Sequence, residues 1–192
     1  MLRKLCVIAA AAALVAAPLP SLAQGKKDSV VMGMTLEPPG LDPTNAAAAA
    51  IAEVTLYNVY ETLTKINEDG SVSPLLAESW QASPDLKTYT FKLRKGIKFH
   101  NGEPFDSAAV KFSFDRAAAP TSTNKDKSLY QAFASVTAPD PETVVVALKY
   151  SEPNLPFLLG QATGSIVEPK SAPTDATQPV GTGPYTLGSW AK

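Results

Sequence analysis

Apolar and polar positions alternate through the middle of the chain. Tyr89, Phe91 and Leu93 interleave with Thr90, Lys92 and Arg94, and Ile97 and Phe99 then interleave with Lys98 and His100. A period of two predicts half-buried strands. Lys95-Gly96 interrupts the first run and Asn101-Gly102 turns the chain after the second, so residues 89–94 and 97–100 are expected to form a hairpin. The same logic places hairpins at 63–66 and 71–72 around Asn67-Glu68-Asp69-Gly70, and at 136–138 and 143–148 around Pro139-Asp140-Pro141-Glu142. Residues 30–36, 166–167 and 185–190 read as further short strands.

Helical spacing appears in three places. Asp106 is a suitable N-cap for a helix from Ser107 to about Ala117, with Val110, Phe114 and Ala117 on one stripe. A five-alanine run at 46–50, continued by Ile51, Val54 and Leu56, predicts a helix to about Tyr60 capped by Asn45 or Thr44, with a low-complexity loop as the alternative. Residues 154–161 form a short apolar stretch in which Pro156 fits a first helical turn. Residues 120–128 read as a polar loop and 169–179 as a linker. Together these elements predict an α+β fold built on antiparallel hairpins.

The amino terminus changes the picture. Arg3 and Lys4 precede an apolar run at 5–17 that is too short to span a bilayer, and Pro18, Pro20 and Ser21-Leu22-Ala23 follow. This predicts a signal peptide over residues 1–23, cleaved after Ala23, and a soluble exported protein, which the resemblance described below would place in the periplasm. Cys6 is the sole cysteine and lies inside that segment. The mature chain would then have no disulfide, no thiolate nucleophile and no thiolate metal site. Removing Arg3 and Lys4 leaves fifteen basic against eighteen acidic side chains, a net charge of −3. Interspersed charge of this sign argues against a nucleic-acid partner. Seventeen prolines in 192 residues disfavour a plain helical bundle, and 45% hydrophobic content supports a packed core.

Catalytic signatures are sparse. His100 is the single histidine, too few for a multi-histidine metal site, and is expected at a surface or turn position of its hairpin. Ser122-Thr123-Asn124-Lys125 fits S-x-x-K but sits in a polar loop without the companion elements of the penicillin-binding enzymes. Gly181-Thr182-Gly183 is followed by Pro184 rather than by a helix that could face a phosphate. A carboxylate pair of glycosidase type stays open from sequence alone. The balance favours binding over catalysis.

Three strings carry a resemblance: LDPTNAAAAAIAEVTLYNVYETLTKI, PLLAESWQASPDLKTYTFKLRKGIKFHNGEPFDSAAVKFSFDRA and PVGTGPYTLGSW. In this order and spacing they resemble the peptide/nickel/opine-type (family 5) extracellular solute-binding proteins of bacterial ABC importers. The resemblance implies a periplasmic-binding-protein-like, two-lobed type II fold. Residues 24–57 would open lobe I, 58–178 would form a small inserted α+β subdomain, and 179–192 would be the return strand. The chain would then be an N-terminal portion of a longer protein. The implied action is capture without reaction or cofactor: lobes close on a small solute (an oligopeptide, opine, sugar or metal chelate), and the closed monomer docks on a membrane permease.

By the same resemblance, ligand contacts are expected near Asn45, within 45–50, and in the loop near Tyr130; a helix cap and a packing aromatic are the bland alternatives. In some relatives an acidic residue in the first region meets the peptide ammonium group. Alanine stands there in this chain, with Glu53 displaced along the helix, which weakens the case for free-amine recognition. A secreted hydrolase of mixed fold, or a periplasmic chaperone or sensor using the same fold, are the competing classes.

Overall fold

The computed structural model describes residues 29–44 and 48–191. The expected signal segment with Cys6, and Asn45, lie outside the described residues. Residues up to Met34 and residues from Thr35 onward fall into two separate units. Within the first, residues 29–34 are exposed and form no strand. The strand expected at 30–36 is therefore not formed: alternation alone does not make a strand without a neighbour to take its backbone hydrogen bonds.

From Thr35 onward the principal layer is a four-stranded antiparallel sheet. Its strands are β3 (Ala77–Ala82), β4 (Thr88–Leu93), β5 (Phe133–Asp140) and β6 (Thr143–Leu148), in the order β3-β4-β6-β5. A separate hairpin joins β1 (Thr64–Ile66) to β2 (Val72–Pro74), pairing Lys65 with Ser73 as the Asn-Glu-Asp-Gly turn predicts. β4 buries Tyr89, Phe91 and Leu93, in agreement with the alternation. Its partners are different from those expected. β4 pairs with β3 on one edge, Trp80 opposite Phe91, and with β6 on the other, Phe91 opposite Val144.

Residues 97–100 form no strand. Gly96, at φ +74, swings the chain away from the sheet. The segment then closes on itself through Phe99 N–H to the Glu103 carbonyl (2.9 Å) and Phe105 N–H to the Ile97 carbonyl (3.0 Å). Phe99 and Phe105 meet edge to face at 6.3 Å, so their spacing serves a packed loop. The β3–β4 turn is built locally: Ser83 Oγ donates to Asp85 Oδ1, which also accepts from Lys87 N–H.

α1 (Ala49–Thr55) is shorter than expected and begins after Ala48, with no side-chain cap. Thr44 instead turns both its amide and its hydroxyl onto Asp42 Oδ1. The helix ends because Tyr57 adopts φ +60 and Val59 and Tyr60 fold back onto the Thr55 carbonyl. That unusual backbone is held by the Tyr57 side chain, whose hydroxyl donates to the Gly160 carbonyl (2.7 Å) and accepts from Ile66 N–H (3.0 Å).

α2 (Ser107–Ala118) follows its sequence signals closely. Asp106 Oδ1 accepts from Ala108 N–H at 2.9 Å and Ala109 N–H at 3.1 Å, capping two of the otherwise unpaired first-turn amides. Val110, Phe114 and Ala117 are buried in the core shared with the sheet. α3 (Lys127–Gln131) is a helix that the polar composition of 120–128 concealed, and α4 (Leu155–Leu158) begins at the Pro156 turn. Residues 166–167 are buried but make no strand, and 185–190 make none either; Tyr185 N–H reaches only the Asn58 carbonyl of the turn after α1. Residues 169–179 are no loose linker. They form successive turns with Ala172 and Asp175 buried, and Leu41 N–H bonds the Ala176 carbonyl. Among the described residues, no helix is long and apolar enough to cross a membrane.

Candidate functional site

A cavity of about 80 Å³ opens between the start of α1 and the segments that flank α3 and α4. One wall is Pro43 with Ala48, Ala49 and Ala52, and the other is Lys125 with Ala162 and Thr163. Ala48 and Ala49 fall within the 45–50 stretch that the resemblance marked and Lys125 lies in the loop before Tyr130, whereas Pro43, Ile51, Ala52, Ala162 and Thr163 lie outside both. Each wall is held by buried polar chemistry.

The first wall hangs from α2. Arg116 Nη2 meets Asp42 Oδ2 at 2.5 Å, and Arg116 Nη1 also bonds the Thr44 hydroxyl. Pro43 is thus fastened on both sides. Burial opposes the charge on Arg116, but the hydrogen bonds and charge of Asp42 outweigh it and raise the guanidinium pKa above its ordinary value. Asp175 and Tyr60 lie behind this pair. Burial, with Asp42 as a second negative neighbour, pushes the Asp175 carboxyl up to about 6. Asp175 Oδ1 accepts from Ser171 Oγ and Val180 N–H, whereas Oδ2 and the Tyr60 hydroxyl are buried without a hydrogen bond among the described residues. Burial first and the neighbouring Asp175 second raise the Tyr60 hydroxyl pKa.

The second wall is organised around Thr163. Its carbonyl accepts from Tyr130 Oη at 2.9 Å and Asn124 Nδ2 at 3.1 Å, and its hydroxyl donates to Asp126 Oδ2 at 2.6 Å. Tyr130 is only 2% exposed and packs against Phe114 and Phe133 at 5.6 and 5.5 Å. Burial raises its pKa above the ordinary tyrosine value. As placed, the Tyr130 side chain supports the Thr163 wall from behind. Asn45, the other candidate, lies outside the described residues.

Pro43, Lys125 and Thr163 went unnoticed as lining residues in the sequence. Lys125 did appear in the S-x-x-K match, but Ser122 Oγ accepts from Asn124 N–H in a turn, and the lysine points to a different use. His100 stands at a turn, as expected. It is half-buried, its Nδ1 accepting from Gly181 N–H (3.3 Å) and its Nε2 bonding the Gly183 carbonyl (2.7 Å). The Gly-Thr-Gly turn is pressed against the backbone of Asn58 and Val59, and a Cβ on Gly181 would stand 1.9 Å from the Val59 carbonyl oxygen. Thr182 Oγ1 adds a bond to Glu61 Oε2 (2.8 Å). Close approach, rather than phosphate binding, explains both glycines.

Comparison with known proteins is consistent with this geometry. Residues 71–192 match the profile of bacterial extracellular solute-binding proteins, family 5 Middle. The glutathione-binding protein GsiB of Shigella dysenteriae serotype 1 (strain Sd197) is 35% identical over 181 residues, covering 92% of this chain and 35% of the relative. The PBP AgaA from A. tumefacien R10, in complex with agropinic acid, has a TM-score of 0.75 at 31% identity, covering 81% of this chain and 32% of that one. OppA of Haemophilus influenzae, in complex with RPPGFSPFR, gives 0.74 at 26% identity, covering 81% and 34%. The fold is that of the type II periplasmic binding proteins. The chain belongs to family 5 of the bacterial extracellular solute-binding proteins, a family of binders rather than enzymes. It spans about a third of the length of the relatives it matches.

Proposed function

We propose that this chain is part of the solute-binding component of an ABC importer, capturing a small solute outside the inner membrane and delivering it to the permease. The observation that supports this most directly is the cavity between α1 and the Lys125–Thr163 wall of a family 5 chain, which has Ala48 and Ala49 of the 45–50 stretch on one side and Lys125 of the loop before Tyr130 on the other. On this reading the protein is exported, with residues 1–23 removed after Ala23, and acts as a monomer. Residues 58–178 make up the inserted subdomain, 24–57 and 179–192 belong to lobe I, and the 45–50 stretch around Asn45 faces the solute. No reaction and no cofactor are required.

The ligands named for the relatives, glutathione, agropinic acid and the peptide RPPGFSPFR, support a small solute of this kind. Main-chain hydrogen bonding to an extended ligand would tolerate varied side chains. A micromolar complete site is worth about −8 kcal/mol, and half of that leaves binding near millimolar. Titrating the ¹⁵N-labelled chain with glutathione, agropinic acid and a short peptide tests the reading at that strength. Saturable amide shifts at Ala48, Ala49, Ala52, Lys125 and Thr163 with at least one of them are expected. Shifts confined elsewhere, or none with any of the three, would refute the cavity as the ligand site.

A further inference from the structure

The cavity carries one charge and leaves it uncompensated. Of its described lining residues Lys125 alone is ionisable. Four ion pairs occur among the described residues, and Lys125 takes part in none of them. It also makes no hydrogen bond with any described residue and is exposed at the cavity edge. The neighbouring acid, Asp126, is not among the described lining residues, and its Oδ2 accepts from the Thr163 hydroxyl. The other polar groups of that wall are equally committed, since the Thr163 carbonyl already accepts two hydrogen bonds. What the other described lining residues offer is alanine methyl groups, Pro43, Ile51, and one ammonium group with three donors and no acceptor.

We propose that this cavity selects the carboxylate-bearing end of the solute, with Lys125 Nζ as its counter-charge and Ala48, Ala49, Ala52 and Ala162 packing on the adjoining carbon atoms. This rests on the cavity being the ligand site and adds the charge class that it accepts. A solute ammonium group placed here would meet a like charge and find no carboxylate in the lining. A carboxylate gains charge-assisted hydrogen bonds, about twice as strong as neutral ones. Its size also suits a space of about 80 Å³. Specificity arises as much from rejection of the cationic end as from attraction of the anionic one.

Three isosteric probes separate the possibilities: propionate, propionamide and propylammonium, each titrated into the ¹⁵N-labelled full chain. Propionate is expected to give saturable shifts at the Ala48, Ala49, Ala52, Ala162 and Thr163 amides, with propionamide weaker and propylammonium silent. Lys125→Gln should weaken propionate about tenfold, the scale of a lost hydrogen bond to a charged group, and Lys125→Glu should transfer the response to propylammonium. Lys125 is exposed and unpaired, so both variants are expected to keep the dispersed spectrum of the parent. Propionamide or propylammonium binding as well as propionate, or an unchanged Lys125→Gln variant, would overturn charge selection while leaving the cavity reading intact. Should glutathione, agropinic acid and peptide also leave these amides unmoved, the cavity reading itself falls and the selection with it.

Discussion

Arg116 on α2 grips Asp42, 74 residues earlier in the chain, with its Nη2 at 2.5 Å from Asp42 Oδ2. Only 6% of the Asp42 side chain and 23% of the Arg116 side chain remain exposed, so neither charge has water as a ready substitute. Truncation to Arg116→Ala leaves Asp42 buried and unpaired beside Asp175. The expected cost is about 3 kcal/mol in a urea denaturation series, the lower end of the range for breaking a buried pair. Arg116→Lys restores charge but not the two-pronged contact, and is expected to fall between the two. An Arg116→Ala midpoint equal to that of the parent would show that the pair contributes nothing.

Asp175 gives the fold a pH dependence of known sign. Its carboxyl titrates at about 6 when folded against an ordinary 3.8, so the folded chain holds the extra proton between those values. Its contribution is complete below about pH 3.8 and is lost as pH rises through 6. Roughly two pH units correspond to about 3 kcal/mol. Asp69, Asp85 and Asp140 are shifted the opposite way by local hydrogen bonds, and their contributions are lost as pH falls. The difference between Asp175→Asn and the parent isolates the buried group. The variant should gain stability relative to the parent from about pH 4 to about pH 7, measured by thermal melts across that range. A constant difference would remove Asp175 as the cause.

Much of the fold was legible because its signals are local. The Asp106 cap, the Val110–Phe114–Ala117 stripe and the Pro-Asp-Pro-Glu turn each specify a structure within a few residues, and α2 and the β5–β6 hairpin form as they predict. Pairing was harder to read. β3 shows little alternation, with only Ala77 buried and Trp80 half-buried, so nothing in it advertised β4 as its partner. Residues 97–105 alternate to fill a loop core. The site was less legible than the fold. Arg116 and Asp42 lie far apart in sequence, and Lys125 draws its meaning from Pro43 and the α1 alanines across the cavity.

The Gly-Thr-Gly turn offers a sharp steric contrast. A Cβ at Gly181 would lie 1.9 Å from the Val59 carbonyl oxygen and 2.9 Å from the Tyr60 ring, so the two backbones must separate to admit it. Gly181→Ala should therefore cost several kcal/mol, the tail of the distribution for single substitutions. Gly188 is the control, because a Cβ there would meet nothing within 4 Å and its φ is ordinary. Gly188→Ala should stay within about 0.5 kcal/mol of the parent. Equal melting temperatures for the two variants would contradict the close approach.

Tyr130 distinguishes a supporting role from a contacting one. Tyr130→Phe keeps the ring packing with Phe114 and Phe133 and removes only the hydroxyl that donates to the Thr163 carbonyl. That carbonyl still accepts from Asn124 Nδ2, so the expected loss is about 1 kcal/mol, a single net hydrogen bond. The Thr163 wall should also loosen, seen as faster amide exchange at Gly164 and Ser165. A side chain that touched the solute itself would behave differently: affinity for a bound probe would drop while stability and exchange stayed at parental values. Stability and exchange changing together, with propionate affinity following them, is the pattern that the buried hydroxyl predicts.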